Sequence, residues 1–510
     1  MTNQARYRLE ARSAGTAFFG LTVPQLGLAA IGLALTAKVL TGGRPDLARL
    51  GGVLAVAVGT AAAAFGSWRG RPVYEALPTA TRFLLRSLRG TNRWFCRLPL
   101  LDVEGRGSAD VEPPACLSGL EILALTRPPW AGAQRTVAPL GLVRDRRTGT
   151  LTGTLAVKGS EFQLVEEADQ DARIFAWARV LGQFARESSP VARISWHEWS
   201  CPAPLSEHLA WLASTVDPEA PATAHYRSLL ADQAVTVARH ELRVTITVDP
   251  RRIGRRAGRS ARAGRDTAEV ALAMLRSLAD RCRDAGLVVA DPLGPADLVD
   301  AVRVGGDPAK VGSLSARRRT LEMRAGLVPT VDAVPLAVEA SWDHVRVDGS
   351  FHRGFWVSRW PTLELGPRWL EPLLLDTAGT RTVTMVMEPV SPRASRRRIN
   401  HDAVRVQGDI HNRSRHDFRI PVELQRAQAD LDRREAELSS GFAEYHYLAL
   451  IDVAAASPEE LDDLSDAYVD VAAACGLEIR SLDGRHDAAW ACSLPIGRAP
   501  DRDLVGGVVG

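Results

Sequence analysis

A membrane α-hairpin followed by a cytoplasmic α+β body, its ferredoxin-like mixed sheets built from split strand-helix-strand units, is the fold class this sequence predicts. Three observations lead to it. Residues 13–37 and 50–68 carry no charged side chain and are separated only by the short polar break 38–49. Strand-period and helix-period segments alternate through most of the remaining chain. Near the C-terminus, Ser457-Pro458-Glu459-Glu460 opens a helix with a capping box and a proline at its first position.

The charge-free runs come first. A helix of about 20 residues rising 1.5 Å per residue reaches across roughly 30 Å of hydrocarbon. The stretch VLAVAVGTAAAAF (53–65) lacks the polar stripe of a helix lying on a water-soluble core. Arg6, Arg8 and Arg12 precede the first run as in a signal peptide, but the apolar stretch is long, Leu35-Thr36-Ala37 is a poor cleavage tripeptide and a second run follows at once. Both runs are therefore expected to stay in the membrane. The break holds Lys38, Arg44 and Arg49, whereas the flanks hold Arg6, Arg8 and Arg12 on one side and Arg69, Arg71, Arg82, Arg86 and Arg89 on the other. The richer flanks place both termini in the cytoplasm, giving a multi-pass protein of the inner (cytoplasmic) membrane.

Residues 69–98 follow as a basic amphipathic segment in which Phe83, Leu84, Leu85 and Leu88 are interleaved with Arg82, Arg86, Arg89 and Arg93. Two placements are open to it: on the inner leaflet with its arginines at anionic lipid headgroups, or docked on the following domain. Residues 100–139 are rich in Pro and Gly and read as linker with irregular strands.

Regular structure begins with the strand TLTGTLAVK (150–158), a helix over 169–186 and a strand over 193–199. A helix over 225–240 leads into the strand LRVTITV (242–248). Residues 267–285 are helical and stopped by Gly286, 287–290 form a short strand and 295–303 a short helix. Asp348-Gly349 between alternating runs signals a hairpin over 345–356. A short helix over 367–375 and a strand over 382–387 follow. Residues 389–440 are rich in Arg, Asp, Gln and Glu with sparse apolar positions, as in a projecting helical arm. A strand over 445–453, the capped helix and a strand over 477–482 complete the chain, with no short-period repeat. The expected division is a tail 1–20, a transmembrane hairpin 21–68, a basic juxtamembrane helix 69–98, a first α/β domain 99–340 and a second 341–510 with its arm at about 391–440.

Composition limits the chemistry. A formal charge of +3 on 510 residues makes neither a strongly basic nor a strongly acidic protein. The six cysteines (Cys96, Cys116, Cys201, Cys282, Cys475 and Cys492) form no Cys-x-x-Cys pair, which argues against a zinc site or a disulfide framework. GTLAVKGS (153–160) differs from a phosphate-binding loop because Lys158 precedes Gly159 and acidic residues follow. GGDPAKVGS (305–313) fails in the same way. Asp343, His344, Asp348 and His352 surround the hairpin, but turn chemistry alone accounts for Asp348. His197-Glu198-Trp199 lacks the second histidine of a zinc protease, and His411 and His416 lie among arginines. No catalytic, cofactor or metal residues are assigned. The sharpest anomaly is RRIGRRAGRSARAGR (251–265), where Arg251, Arg252, Arg255, Arg256, Arg259, Arg262 and Arg265 could neutralise DNA phosphates or anionic lipid, or form a solvated loop.

The hairpin, the segment GRPVYEALPTATRFLLRSLRGTNRW, Trp360-Pro361, RTVTMVMEP (381–389), RREAELSSG (433–441) and SLPI (493–496) together resemble an actinobacterial integral membrane protein family of conjugation and type IV-like secretion loci. Its front end is similar to the PrgI-type membrane subunit and its cytoplasmic part to the N-terminal, non-catalytic domain of CagE/TrbE-type conjugation ATPases. The resemblance implies a non-enzymatic inner-membrane scaffold without cofactors. It would be oligomeric, contact other membrane subunits, and dock a separately encoded motor ATPase. A type VII secretion membrane component, a membrane-anchored hydrolase and a membrane-tethered nucleic-acid-binding protein are the alternatives.

Overall fold

In the computed structural model, which describes residues 23–41, 47–68, 71–96, 112–125, 139–159, 162, 164–202, 206–217, 220–233, 238–253, 265–311, 334–361, 365–375, 379–415 and 419–500, the charge-free runs contribute two helices, α1 (Val23–Thr41) and α2 (Leu47–Phe65). They pack antiparallel. Gln25 Nε2 donates to the Ala64 carbonyl at 3.0 Å, and Gly32 lets Thr60 approach where any larger side chain would collide. Among the described residues no helix is long and apolar enough to cross a membrane, so the transmembrane hairpin, the multi-pass membrane location and the orientation built on it are corrected. The reason lies in the helix bounds. α1 starts only at Val23 and takes in Gln25 and Lys38, and α2 takes in Arg49 and three glycines.

A small ladder of β1 (Ser67–Trp68) and β2 (Arg71–Pro72) leads into α3 (Val73–Leu88) and β3 (Arg93–Phe95). Next come β4 (Leu120–Leu125), β5 (Leu140–Asp145), β6 (Thr150–Lys158), α4 (Glu167–Phe184), β7 (Val191–Pro202), α5 (Ser206–Thr215), α6 (Pro221–Gln233), β8 (Ala238–Val248), α7 (Pro250–Ile253), α8 (Arg265–Asp284), β9 (Val288–Pro292) and α9 (Pro295–Gly306). The chain ends with β10 (Ala337–Ala340), β11 (Val345–Val347), β12 (Ser350–Arg359), α10 (Glu371–Leu375), β13 (Thr380–Pro389), α11 (Pro392–Arg415), α12 (Val422–Ser439), β14 (Tyr445–Ala455), α13 (Pro458–Ala474), β15 (Glu478–Ser481) and α14 (His486–Ser493). The helix expected over 225–240 ends at Gln233, and the strand starts as early as Ala238.

Among the described residues, thirteen strands form one sheet in the order β3-β10-β11-β12-β14-β13-β7-β8-β6-β5-β4, with β15 beside β12 and β9 beside β6. Every pairing among the described residues is antiparallel, which corrects the expected mixed sheets. Two β-α-β-β-α-β units make up its centre. β6-α4-β7-β8-α8-β9 gives the spatial order β9-β6-β8-β7, and β12-α10-β13-β14-α13-β15 gives β15-β12-β14-β13. The additions match as well: each unit follows a β-hairpin, carries a helix pair between its second and third strands, and ends in a helix. Equivalent registers recur, Val157 opposite Val289 in one half and Val357 opposite Ile479 in the other. Gly286 and Gly476, both at positive φ (83° and 75°), turn each second helix into its last strand. The halves join through β7 and β13, whose seven pairs centre on His197 opposite Thr384, placing a pseudo-twofold axis there.

Period-2 alternation gives the sheet two different faces. In β8, Val244 and Ile246 are buried under α4 and α8 and Val248 under α8, while Thr245 and Thr247 face the other way. α13 covers the equivalent face of the second half through Leu461, Tyr468 and Ala472. The opposite face carries a band of small polar side chains and is covered by α9, α14 and residues 493–498. That irregular segment has carbonyls to satisfy, and the band supplies donors. Thr154 Oγ1 donates to Pro495 O at 2.9 Å, and Arg193 Nη2 donates to Gly497 O at 3.0 Å. Arg498 donates to the Cys116 and Ser118 carbonyls and pairs with Asp145 at 3.2 Å.

Candidate functional site

The helix α3 carries Pro78 within it and owes its form to the amphipathic FLLRSL end (83–88), and Gly90, at positive φ, ends it. Helical spacing divides its side chains into faces. Phe83 and Arg86 point at the second half of the sheet, where Phe83 meets Trp342 edge-on at 5.4 Å and Arg86 Nη2 donates to Asp487 Oδ2 at 2.6 Å. Burial opposes the Arg86 charge, but the attraction and hydrogen bond from Asp487 outweigh it and raise the Arg86 pKa above its ordinary value. Gly484, at φ 70°, lets Trp342 and Phe83 close over it. The opposite face presents Leu77, Leu84 and Leu88, which are 56%, 58% and 75% exposed, and Arg82 and Arg89 are exposed along its border.

Arg86 and Arg93, two of the four arginines marked in this segment, pair with carboxylates elsewhere in the fold, Arg93 while staying exposed. Arg86 is clamped by Asp487, and Arg93 Nε pairs with Glu339 at 2.7 Å across the β3–β10 ladder. The segment docks on the domain that follows it. In the arginine-rich stretch, Arg251 caps back to Asp249 through its backbone and Arg252 donates to the Val191 carbonyl at 2.5 Å. Arg255, Arg256, Arg259 and Arg262 lie outside the described residues, and Arg265 begins α8.

The histidine and carboxylate clusters are dispersed by the fold. Asp348, at φ 51°, accepts from the Leu336 and Ala337 amides and pairs with Lys310. His352 points inward instead, donating from Nδ1 to Asp452 at 2.9 Å and from Nε2 to the Gly306 carbonyl at 3.0 Å. Burial opposes its charge, yet Asp452 and that carbonyl prevail, so its pKa is raised and the ring is held as an imidazolium. His197 lies on the pseudo-twofold axis. Its Nδ1–H donates to Ser493 O at 2.9 Å beside Thr384 Oγ1 at 3.1 Å, while Nε2 is buried with no partner among the described residues. Burial, reinforced by Arg243 and only partly offset by the Ser493 carbonyl, lowers its pKa to about 4. His486 accepts from the Gly354 amide through Nδ1 at 3.1 Å, and burial with Arg353 nearby pushes its pKa well below the ordinary value. Glu198, on the far side of the sheet from His197, pairs with His240 at 2.8 Å and Arg381 at 3.5 Å. These groups hold strands and the C-terminal segment together.

Among the described residues, no group of three or more His, Cys, Asp or Glu side chains is placed to hold a metal ion. A shallow recess between Glu166, Glu167, Gln170, Arg368 and Trp369 has its arginine bound to Glu371 and offers no nucleophile beside a base. The sequence reading gave residues 225–240 to a helix but passed over 206–224 and the aromatic cluster His208, Trp211 and Tyr226 that α5 and α6 display. His208 stacks on Trp211 at 5.7 Å, and its Nε2 lies 3.0 Å from the Tyr226 hydroxyl. Pro202, Pro204, Pro218 and Pro221 break the periodicity around them, and the aromatic pair itself was the available signal. No protein-family model matches the chain, and no curated protein matches it.

Proposed function

We propose that the chain is a non-enzymatic docking scaffold of a type IV-like conjugation or secretion apparatus, holding a separately encoded motor ATPase through the outer face of α3. The observation that carries this reading is the exposed Leu77, Leu84 and Leu88 stripe bordered by Arg82 and Arg89, on a helix whose inner face is fastened by Phe83 and Arg86. A stripe of that kind on a helix already anchored loses little freedom when a partner binds, so more of its apolar burial appears as affinity. The buried ionisable groups on the sheet faces support it from the other side, because their partners are strands and the C-terminal segment.

The test is co-purification from the native host with identification of the bound proteins. The full chain should enrich a motor ATPase, and Leu84→Asp with Leu88→Asp should lose it while the chain keeps its melting temperature. If no ATPase is enriched and the purified chain hydrolyses nucleotide alone, the proposal fails.

A further inference from the structure

The duplicated architecture places one helix pair between the second and third strands of each half: α5–α6 after β7, and α11–α12 after β13. Because β7 and β13 run antiparallel, these pairs leave opposite ends of the central ladder. Ten residues of β13 separate those ends by roughly 30 Å. In composition the two are opposites. Ser206–Gln233 carries Glu207, Asp217, Glu219 and Asp232 against Arg227 alone, whereas α11 carries seven arginines against two aspartates.

Their outer faces are opposites too. On α5–α6, Trp211 is 55% exposed and Tyr226 41% exposed, joined into one aromatic surface by His208 between them. On α11, Ser395 and Ile399 are buried at the base, and Arg397, Val404 and Arg415 are exposed at the spacing of a single helical face. Exposed Trp and Tyr are the side chains that concentrate binding energy, and a guanidinium stacks favourably on their rings.

We propose that the arginine face of α11 in one copy docks on the Trp211–Tyr226 face of α5–α6 in the next, making a heterologous, charge-assisted contact between copies of this chain. The occupant is a second copy because the complementary surfaces are held at opposite ends of one molecule and so meet between molecules. A head-to-tail contact of this type repeats, closing into a ring or extending as a filament. It uses α5–α6 and α11 alone, so it stands or falls independently of ATPase docking on α3.

Sedimentation velocity of the full chain tests it. The wild-type mass should rise with concentration at low salt and fall at high salt, since surface charges are screened. Trp211→Ala with Tyr226→Ala gives one variant, and Arg397→Glu with Arg415→Glu gives the other. Each should be monomeric alone with an unchanged melting temperature, because the positions are exposed. An equimolar mixture should form a dimer and nothing larger, as one intact contact remains. Association through the exposed sides of α1 and α2, or through a symmetric contact of like arms, would persist in at least one variant. Such persistence, a monomeric wild type, or a mixture that stays monomeric overturns the proposal.

Discussion

Replacing His197 by Asn changes how the fold responds to acid. The folded protein keeps His197 neutral, donating from Nδ1 to Ser493 O, and its pKa is lowered to about 4. In the unfolded chain the ring titrates near 6.5. Between those values the unfolded state binds a proton that the folded state refuses, so stability rises with pH through this window and is lost as pH falls through it. Each pKa unit corresponds to about 1.4 kcal/mol, so the full window is worth about 3 kcal/mol. Asn places an amide donor near the Nδ1 position and does not titrate, so His197→Asn keeps the bond to Ser493 O but removes this dependence. His486 acts in the same direction and is present in both proteins, so it cancels in the difference. His352 has the opposite sign: its raised pKa gives a stabilisation complete below its unfolded pKa and lost at higher pH, adding no slope below about 6.5. Urea unfolding of both proteins from about pH 7 to about pH 4.5 should show the wild type losing its advantage over the variant by about 2–3 kcal/mol. Parallel pH profiles would refute the neutral, buried ring.

Two further substitutions probe the packing around the candidate site. Arg86→Ala leaves Asp487, whose side chain is 7% exposed, without its guanidinium. With Arg86 itself a third exposed, we expect a loss of about 2 kcal/mol in urea unfolding, faster proteolysis between α2 and β3, and partial recovery with Lys at that position. Gly354→Ala would place a methyl 2.5 Å from the Ala489 Cβ, where α14 crosses β12. A Cβ is fixed to its backbone and cannot rotate away, so the variant should lose about 1–3 kcal/mol, and Ala489→Gly added to it should restore much of that. Equal stability of the single and double variants would place the strain elsewhere.

Local chemistry alone determined many of the strands and helices and several of their ends. Asp348-Gly349 turns β11 into β12, Gly286 stops α8, and the Ser457 side chain accepts from the Glu460 amide at 3.2 Å. Each of these depends on residues within a few positions, which is the range that periodicity and capping report. The basic amphipathic α3 was legible for the same reason. That Arg86 meets Asp487, 401 positions away, was not, because the spacing of arginines carries no record of distant partners. Composition marked the two apolar runs, but where α1 and α2 begin decided which polar residues they include, and that overturned the transmembrane expectation.

Only the tertiary structure disclosed the duplication. Beyond the Gly-Leu steps at 286–287 and 476–477 the halves share little sequence, because a buried strand accepts any apolar residue of suitable volume at alternate positions. Strand pairing shows the shared architecture in register, with His197 opposite Thr384 at the join. The face covered by residues 493–498 likewise reads in sequence as unremarkable threonines. It becomes a donor-lined seat only when β6, β7, β8 and β13 are brought side by side, since hydrogen bonds across the fold are specified by pairing and not by order along the chain.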